Sequence, residues 1–299
     1  MLRTRLWMGA ALIALTVGVL TVDTRLAPWY PFLFALVLGL TLVACRELLT
    51  MLASSGQAMQ WLCYTALVAM AAANWWPHVA SQILGKGVNA WDRHPWQWIV
   101  STFAAIVVAA FLVEIGTFQV PGESVKRIAL VIFVVAYLGL LPSFLAQLRW
   151  LPEPANANEE RSGARATVAL AMTIFVPKCC DVGAYFTGRW LGRHALAPVL
   201  SPKKTWEGAA GGLAAAVAAA LVFVLVSGLP LLQGGLLVAA AFGLSVGTAA
   251  MLGDLAESLI KRDCQRKDAS QVVPGFGGVL DVVDSIVFAA PVAYCWFRF

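Results

Sequence analysis

Nine apolar stretches, near residues 5–22, 31–46, 61–80, 97–114, 128–147, 166–186, 207–228, 233–252 and 277–297, dominate this sequence. Crossing a hydrocarbon core about 30 Å thick takes about 20 helical residues. In lipid every backbone amide must find its partner within the protein, so runs of this length are read as helices rather than strands or coil. Only 12% of the residues are charged and 60% are hydrophobic, against about a quarter charged in a soluble domain. The expected fold is therefore all-α, a polytopic transmembrane helical bundle of about nine spans. It divides into an N-terminal transmembrane scaffold over 1–147, a polar loop over 148–165 and a C-terminal transmembrane region over 166–299 that carries the chemistry.

The first stretch follows Arg3 and Arg5 but lacks a small-residue cleavage signature, since Thr21-Val22-Asp23-Thr24 fits poorly; it is expected to be a retained anchor. The six cysteines include no CxxC pair and read as small packing residues. Three histidines are scattered without metal-ligand spacing. Tryptophans near span ends, among them Trp29, Trp75, Trp76, Trp96, Trp98 and Trp150, suit an interfacial belt. Segment 187–206 holds Arg189, Arg193, Lys203 and Lys204, and segment 253–276 holds Lys261, Arg262, Arg266 and Lys267. The connection between them, Gly228 to Gly235, is uncharged. An excess of Lys and Arg marks cytoplasmic loops, so both basic segments are placed on the cytoplasmic side.

The N-terminal half reads as scaffold: its charges are mostly loop charges, no ionisable residue sits clearly mid-span, and Arg46 to Thr50 suggests an amphipathic surface helix at the end of the second span. The C-terminal third differs. Lys178 and Asp181 sit in an apolar context, three apart on one helix face. They either pair with each other, snorkel to water, or face a polar site, since ionisable groups at membrane depth are costly. Ser201-Pro202 reads as a helix start with Lys203, Lys204 and Thr205 in the first turn. Lysines are disfavoured at the positive end of a helix dipole, so this pair points either to a bound polyanion or to a basic loop anchoring the span. Gly208 and Gly212 suit close helix packing.

Further on, Asp254, Glu257, Ser258 and Lys261 fall on one helical stripe opposite Leu255, Leu259 and Ile260. Pro274, Gly275, Gly277 and Gly278 make a turn that lets a ligand approach the backbone. Asp281 and Asp284 follow, three apart on one face of an apolar helix. They are either helix-start carboxylates favoured by the dipole or a pair held together by a hard cation such as Mg²⁺. Carboxylates for a divalent metal beside basic groups for phosphates describe phosphoryl or nucleotidyl transfer. The absence of GxxxxGK[ST] excludes a P-loop NTPase.

From Asp181 to Ser285 the sequence resembles the phosphatidate cytidylyltransferase (CDP-diacylglycerol synthase) family. The resemblance is carried by Asp181-x-Gly-Ala-Tyr, Ser201-Pro-Lys-Lys-Thr-Trp-Glu-Gly208, Ser258-Leu-Ile-Lys-Arg262, Lys267-Asp268, Pro274-Gly-Phe-Gly-Gly278 and Asp281-x-x-Asp284. It implies that CTP and phosphatidic acid give CDP-diacylglycerol and pyrophosphate with Mg²⁺, within the membrane lipid bilayer. A homodimer is among the expectations, and no nucleic-acid partner is. The resemblance further implies metal ligation by Asp254, Asp281 and Asp284, with Lys261 beside them in catalysis. Substrate contacts would come from Asp181, Ser201, Lys203, Lys204, Ser258, Arg262, Lys267, Asp268, Gly277 and Gly278. The chain departs from the family pattern at Phe276, where a histidine is usual, and at Val282, where an arginine is usual. Three other readings stand beside this one: a CTP-dependent membrane lipid kinase, a cation transporter and a non-catalytic homologue kept for assembly. The transporter reading calls for an inverted repeat and ionisable residues along the spans, and neither is evident.

Overall fold

The computed structural model describes residues 2–53, 59–83, 94–119, 121–152, 163–228, 232, 235–275 and 277–299. Among these residues, ten α-helices and one short hairpin follow in the order α1 (Leu2–Val22), α2 (Pro31–Leu52), α3 (Gln60–Ile83), α4 (Pro95–Thr117), α5 (Ser124–Val135), α6 (Leu141–Gln147), α7 (Ala164–Leu191), β1 (Ala195–Ala197), β2 (Ser201–Thr205), α8 (Trp206–Ser227), α9 (Gly235–Asp263) and α10 (Leu280–Arg298). A π-helical turn at Ala136–Leu140 joins α5 to α6, so that Ser124–Trp150 forms one continuous apolar segment. Among the described residues, eight helical segments are long and apolar enough to cross a membrane. The expected third span is the 24-residue α3. It has the length of a span, but with Asn74, Pro77 and His78 it has no stretch as apolar as those of the other eight. The fold is an all-α polytopic membrane bundle. Most of the loop expected over 148–165 lies outside the described residues.

The chain forms two compact units: Met1–Gln147 with Asp268–Leu280, and Leu148–Lys267 with Asp281–Phe299. In the first unit, one group of buried polar side chains from α3 and α6 satisfy one another, as an apolar environment favours. Asn74 Nδ2 donates to Ser143 Oγ at 2.8 Å, and Gln147 Nε2 donates to Asn74 Oδ1 at 3.0 Å. His78 Nε2 meets Gln147 Oε1 at 3.1 Å. Three charged residues of this half, Asp23 between α1 and α2, Glu47 near the end of α2 and Glu114 near the end of α4, are nevertheless buried. Each has a partner that makes burial tolerable. Asp23 accepts from the amides of Phe32 and Leu33, and Glu114 pairs with Arg127 at 2.9 Å. The segment Arg46–Thr50 is the last part of α2 rather than a separate surface helix, with Arg46 and Thr50 outward and Glu47, Leu48 and Leu49 inward.

In the second unit, α7, α8 and α9 approach so closely that at several glycines along the seam no larger side chain fits. A Cβ at Gly212 would stand 2.9 Å from the Cys180 carbonyl oxygen, and one at Gly243 2.8 Å from that of Ala216. This bears out the packing role expected for Gly208 and Gly212. The core contains Leu170, Met172, Val176, Cys180, Phe242 and Val246. All six cysteines are free and four of them are buried, as packing residues should be.

Candidate active site

The site forms in the second unit, where one end of α9 meets the start of α10 and the later part of α7. Gly253 sets the spacing. A Cβ there would stand 2.5 Å from the Asp284 carbonyl oxygen and 3.0 Å from Phe288 Cβ, so only glycine lets α9 and α10 come this close. The approach brings three carboxylates together: one oxygen each from Asp254, Glu257 and Asp284 lie within 4.8 Å of one another. Glu257 is 1% exposed, and its Oε1 has no hydrogen-bond partner. A buried carboxylate oxygen left over in this way is expensive unless a cation or proton meets it. Three oxygen ligands with one such atom fit a hard divalent cation that keeps some of its water.

Lysines surround this cluster. Lys204 Nζ lies 2.7 Å from Asp254 Oδ2, and Lys261 Nζ lies 2.5 Å from Glu257 Oε2 and 2.6 Å from Asp281 Oδ1. Lys178 Nζ donates to Asp181 Oδ2 at 3.0 Å and to Ser285 Oγ at 2.7 Å, and lies 3.7 Å from Asp284 Oδ1. Ser285 Oγ in turn donates to Asp181 Oδ2 at 3.1 Å. Of the readings open for Lys178 and Asp181, pairing with each other holds, but the pair is also tied into the carboxylate cluster. Outside the spans, burial first and the Asp263 charge second push the Cys264 thiol up, which leaves it a poor nucleophile near neutral pH.

The structure rearranges several expected roles. Ser201–Thr205 is not a helix start but the strand β2, paired antiparallel with β1. The helix begins one residue after Thr205, whose hydroxyl accepts from the Gly208 amide at 3.1 Å. The physical reason is the one that made the lysines puzzling: a threonine cap satisfies the first turn better than ammonium groups at its positive end. As strand residues, Lys203 points to solvent and Lys204 turns in to Asp254. Asp281 is held by Lys261 and does not join the group of three; Glu257, from the same expected stripe, does. Ser258 is buried, while Arg262, Lys267 and Asp268 are exposed. The Arg262 Nε donates to the Leu200 carbonyl oxygen at 3.2 Å.

Gly275 and Gly277 adopt positive φ of 87° and 108°, which accounts for glycine at both. At Gly278 a Cβ would stand 2.6 Å from Oε2 of the Glu47 carboxylate, which accounts for glycine there. Phe276 lies outside the described residues, and Val282 is half-buried in the first turn of α10. Sequence reasoning did not single out Ser285, and it placed Glu257 on the polar stripe without naming it among the three clustered carboxylates. For Glu257 the signal was present, because a carboxylate three after Asp254 and four before Lys261 must share their helix face.

Residues 3–299 match the cytidylyltransferase family. The chain belongs to that family. A phosphatidate cytidylyltransferase of Synechocystis sp. is 35% identical over 192 residues, covering 59% of this chain and 64% of the relative. One of Haemophilus influenzae is 48% identical over 113 residues, covering 37% and 39%. The chloroplastic phosphatidate cytidylyltransferase 4 of Arabidopsis thaliana is 36% identical over 213 residues, covering 67% and 52%. The chain thus spans less than two thirds of the length of these relatives. Within the family's stretch, the three carboxylates and the lysines around them are the residues with the strongest claim to chemistry.

Proposed function

We propose that this chain is an enzyme, a phosphatidate cytidylyltransferase that converts CTP and phosphatidic acid to CDP-diacylglycerol and pyrophosphate. The observation that carries the proposal is the cluster of Asp254, Glu257 and Asp284 with Lys204, Lys261 and Lys178 around it, set among membrane-spanning helices. Family membership and the names of the relatives support the same substrates. Asp254, Glu257 and Asp284 are the residues that would hold Mg²⁺. Bound there, Mg²⁺ supplies positive charge against the triphosphate and the developing pyrophosphate.

The chain's own groups do the rest. Lys178 and Lys204 hold the carboxylates of Asp284 and Asp254 in place, and Lys261 sits between Glu257 and Asp281. The exposed Lys203, Arg262 and Lys267 offer cations to substrate phosphates. A phosphatidate oxygen bonds to the α-phosphorus of CTP as the α–β bridging bond breaks, and the electron pair leaves with pyrophosphate. A phosphate monoester is already largely ionised near neutral pH, its second pKa being about 6, so no strong base is required. The basic segments 187–206 and 253–276 support a site facing the cytoplasm across a bacterial inner membrane. The test is pyrophosphate release by purified protein given CTP, phosphatidate and Mg²⁺. Release dependent on all three is expected; no release from folded protein refutes the reading.

A further inference from the structure

Glu47 is a carboxylate buried to 4% exposure near the end of α2, well away in sequence from the residues of the active site. Such a group is costly in a membrane-spanning helix unless its lone pairs are filled. They are filled from one loop. Oε1 accepts from Ser270 Oγ at 2.6 Å and from the Val279 amide at 3.0 Å, and Oε2 accepts from the Leu280 amide at 2.9 Å. The last two donors lie where the loop turns into α10, at amides that have no acceptor within their own helix. A negative group at a helix N-terminus also has favourable dipole interactions. Gly278 completes the contact: a Cβ there would stand 2.6 Å from Oε2, so the glycine leaves the space the carboxylate occupies.

We propose that Glu47 is a positioning residue, an N-cap supplied by a distant helix, which fixes Ser270, Gly278 and Val279 of the loop and Leu280, the first residue of α10. Asp281 is the next residue in the chain and Asp284 lies one turn on. The backbone that Glu47 holds is therefore the backbone from which both carboxylates project. This gives the loop's final glycine a structural partner. The inference rests on the proposed function for its catalytic consequence, but the contact itself does not.

The test uses full-length protein in detergent micelles, comparing wild type with Glu47→Gln, Gly278→Ala and the double variant. Glutamine keeps the size of the side chain but presents an NH₂ group to one of the two amides. Hydrogen exchange over 268–280 is expected to rise at least tenfold in Glu47→Gln while α3 keeps its protection. Turnover should fall about 10- to 100-fold, the usual cost of losing the support behind metal-binding side chains, through kcat rather than through KM for CTP. Gly278→Ala should give the same pattern, and the double variant should lose little more than either single one, because both remove one contact. Wild-type protection of the loop in Glu47→Gln overturns the proposal, as does lost protection with unchanged kcat. If the wild-type protein turned over no CTP, the proposed function would fall, while the exchange comparison would still decide whether Glu47 holds the loop.

Discussion

Replacing Gly253 by alanine tests how the carboxylates are brought together. The added Cβ would stand 2.5 Å from the Asp284 carbonyl oxygen and 3.0 Å from Phe288 Cβ. A carbon rests against a carbonyl oxygen at about 3.3 Å or more, so α9 and α10 must part by about 0.8 Å at this level. Overpacking of this kind costs about 1–3 kcal/mol. Asp254 follows the altered residue directly and Asp284 carries the displaced carbonyl, so the same movement widens the cluster whose oxygens lie within 4.8 Å. A misplacement near 1 Å can cost about 100-fold in rate. Thermal unfolding and CTP turnover would be measured on purified protein beside Gly39→Ala, whose Cβ would meet nothing within 4 Å. Gly39→Ala should leave both unchanged. Gly253→Ala should lower stability modestly and kcat by one to two orders of magnitude. A Gly253→Ala protein with wild-type stability and wild-type kcat would refute the close-approach argument.

Other variants probe separate links. Glu257→Gln should raise the Mg²⁺ concentration needed for half-maximal turnover far more than Asp281→Asn does, because Glu257 belongs to the three-carboxylate cluster and Asp281 is engaged by Lys261; magnesium titrations of both proteins decide this. Lys178→Met removes the ammonium that faces both Asp181 and the 8%-exposed Asp284 side chain. It should cost on the order of 2–3 kcal/mol, below the full buried-pair figure because two of the three side chains are a third exposed, read as a drop in unfolding midpoint. Thr205→Ala should destabilise by about 1 kcal/mol and Thr205→Ser should restore most of it, since the hydroxyl caps α8. Lys203→Ala should raise KM with little change in kcat, as an exposed cation that meets substrate phosphates without touching the carboxylates would.

The spans were legible because bilayer thickness and backbone pairing leave long apolar runs one reading, and the stripe from Asp254 to Lys261 was legible because helical periodicity fixes which residues share a face. Two kinds of feature were not. The strand at Ser201–Thr205 depends on pairing with β1 across a turn, and nothing local to Ser-Pro-Lys-Lys-Thr announces that partner. The burial of Glu47 depends on donors from Ser270, Val279 and Leu280, more than 220 positions away in sequence. From sequence a glutamate after an arginine at a span end looks like surface charge. The grouping of Glu257 with Asp254 and Asp284, and of Asp281 with Lys261, was likewise set by how α9 and α10 cross rather than by either segment alone.

The most direct test of the proposed cytidylyl transfer follows two labels from CTP into lipid. Purified protein is given phosphatidate, Mg²⁺ and CTP labelled separately in the cytosine ring and in the γ-phosphate. Cytosine label in the lipid fraction with γ-label in released pyrophosphate is the predicted result. Label from the γ-phosphate in lipid, with cytosine left in soluble nucleotide, would contradict it and identify a lipid kinase instead.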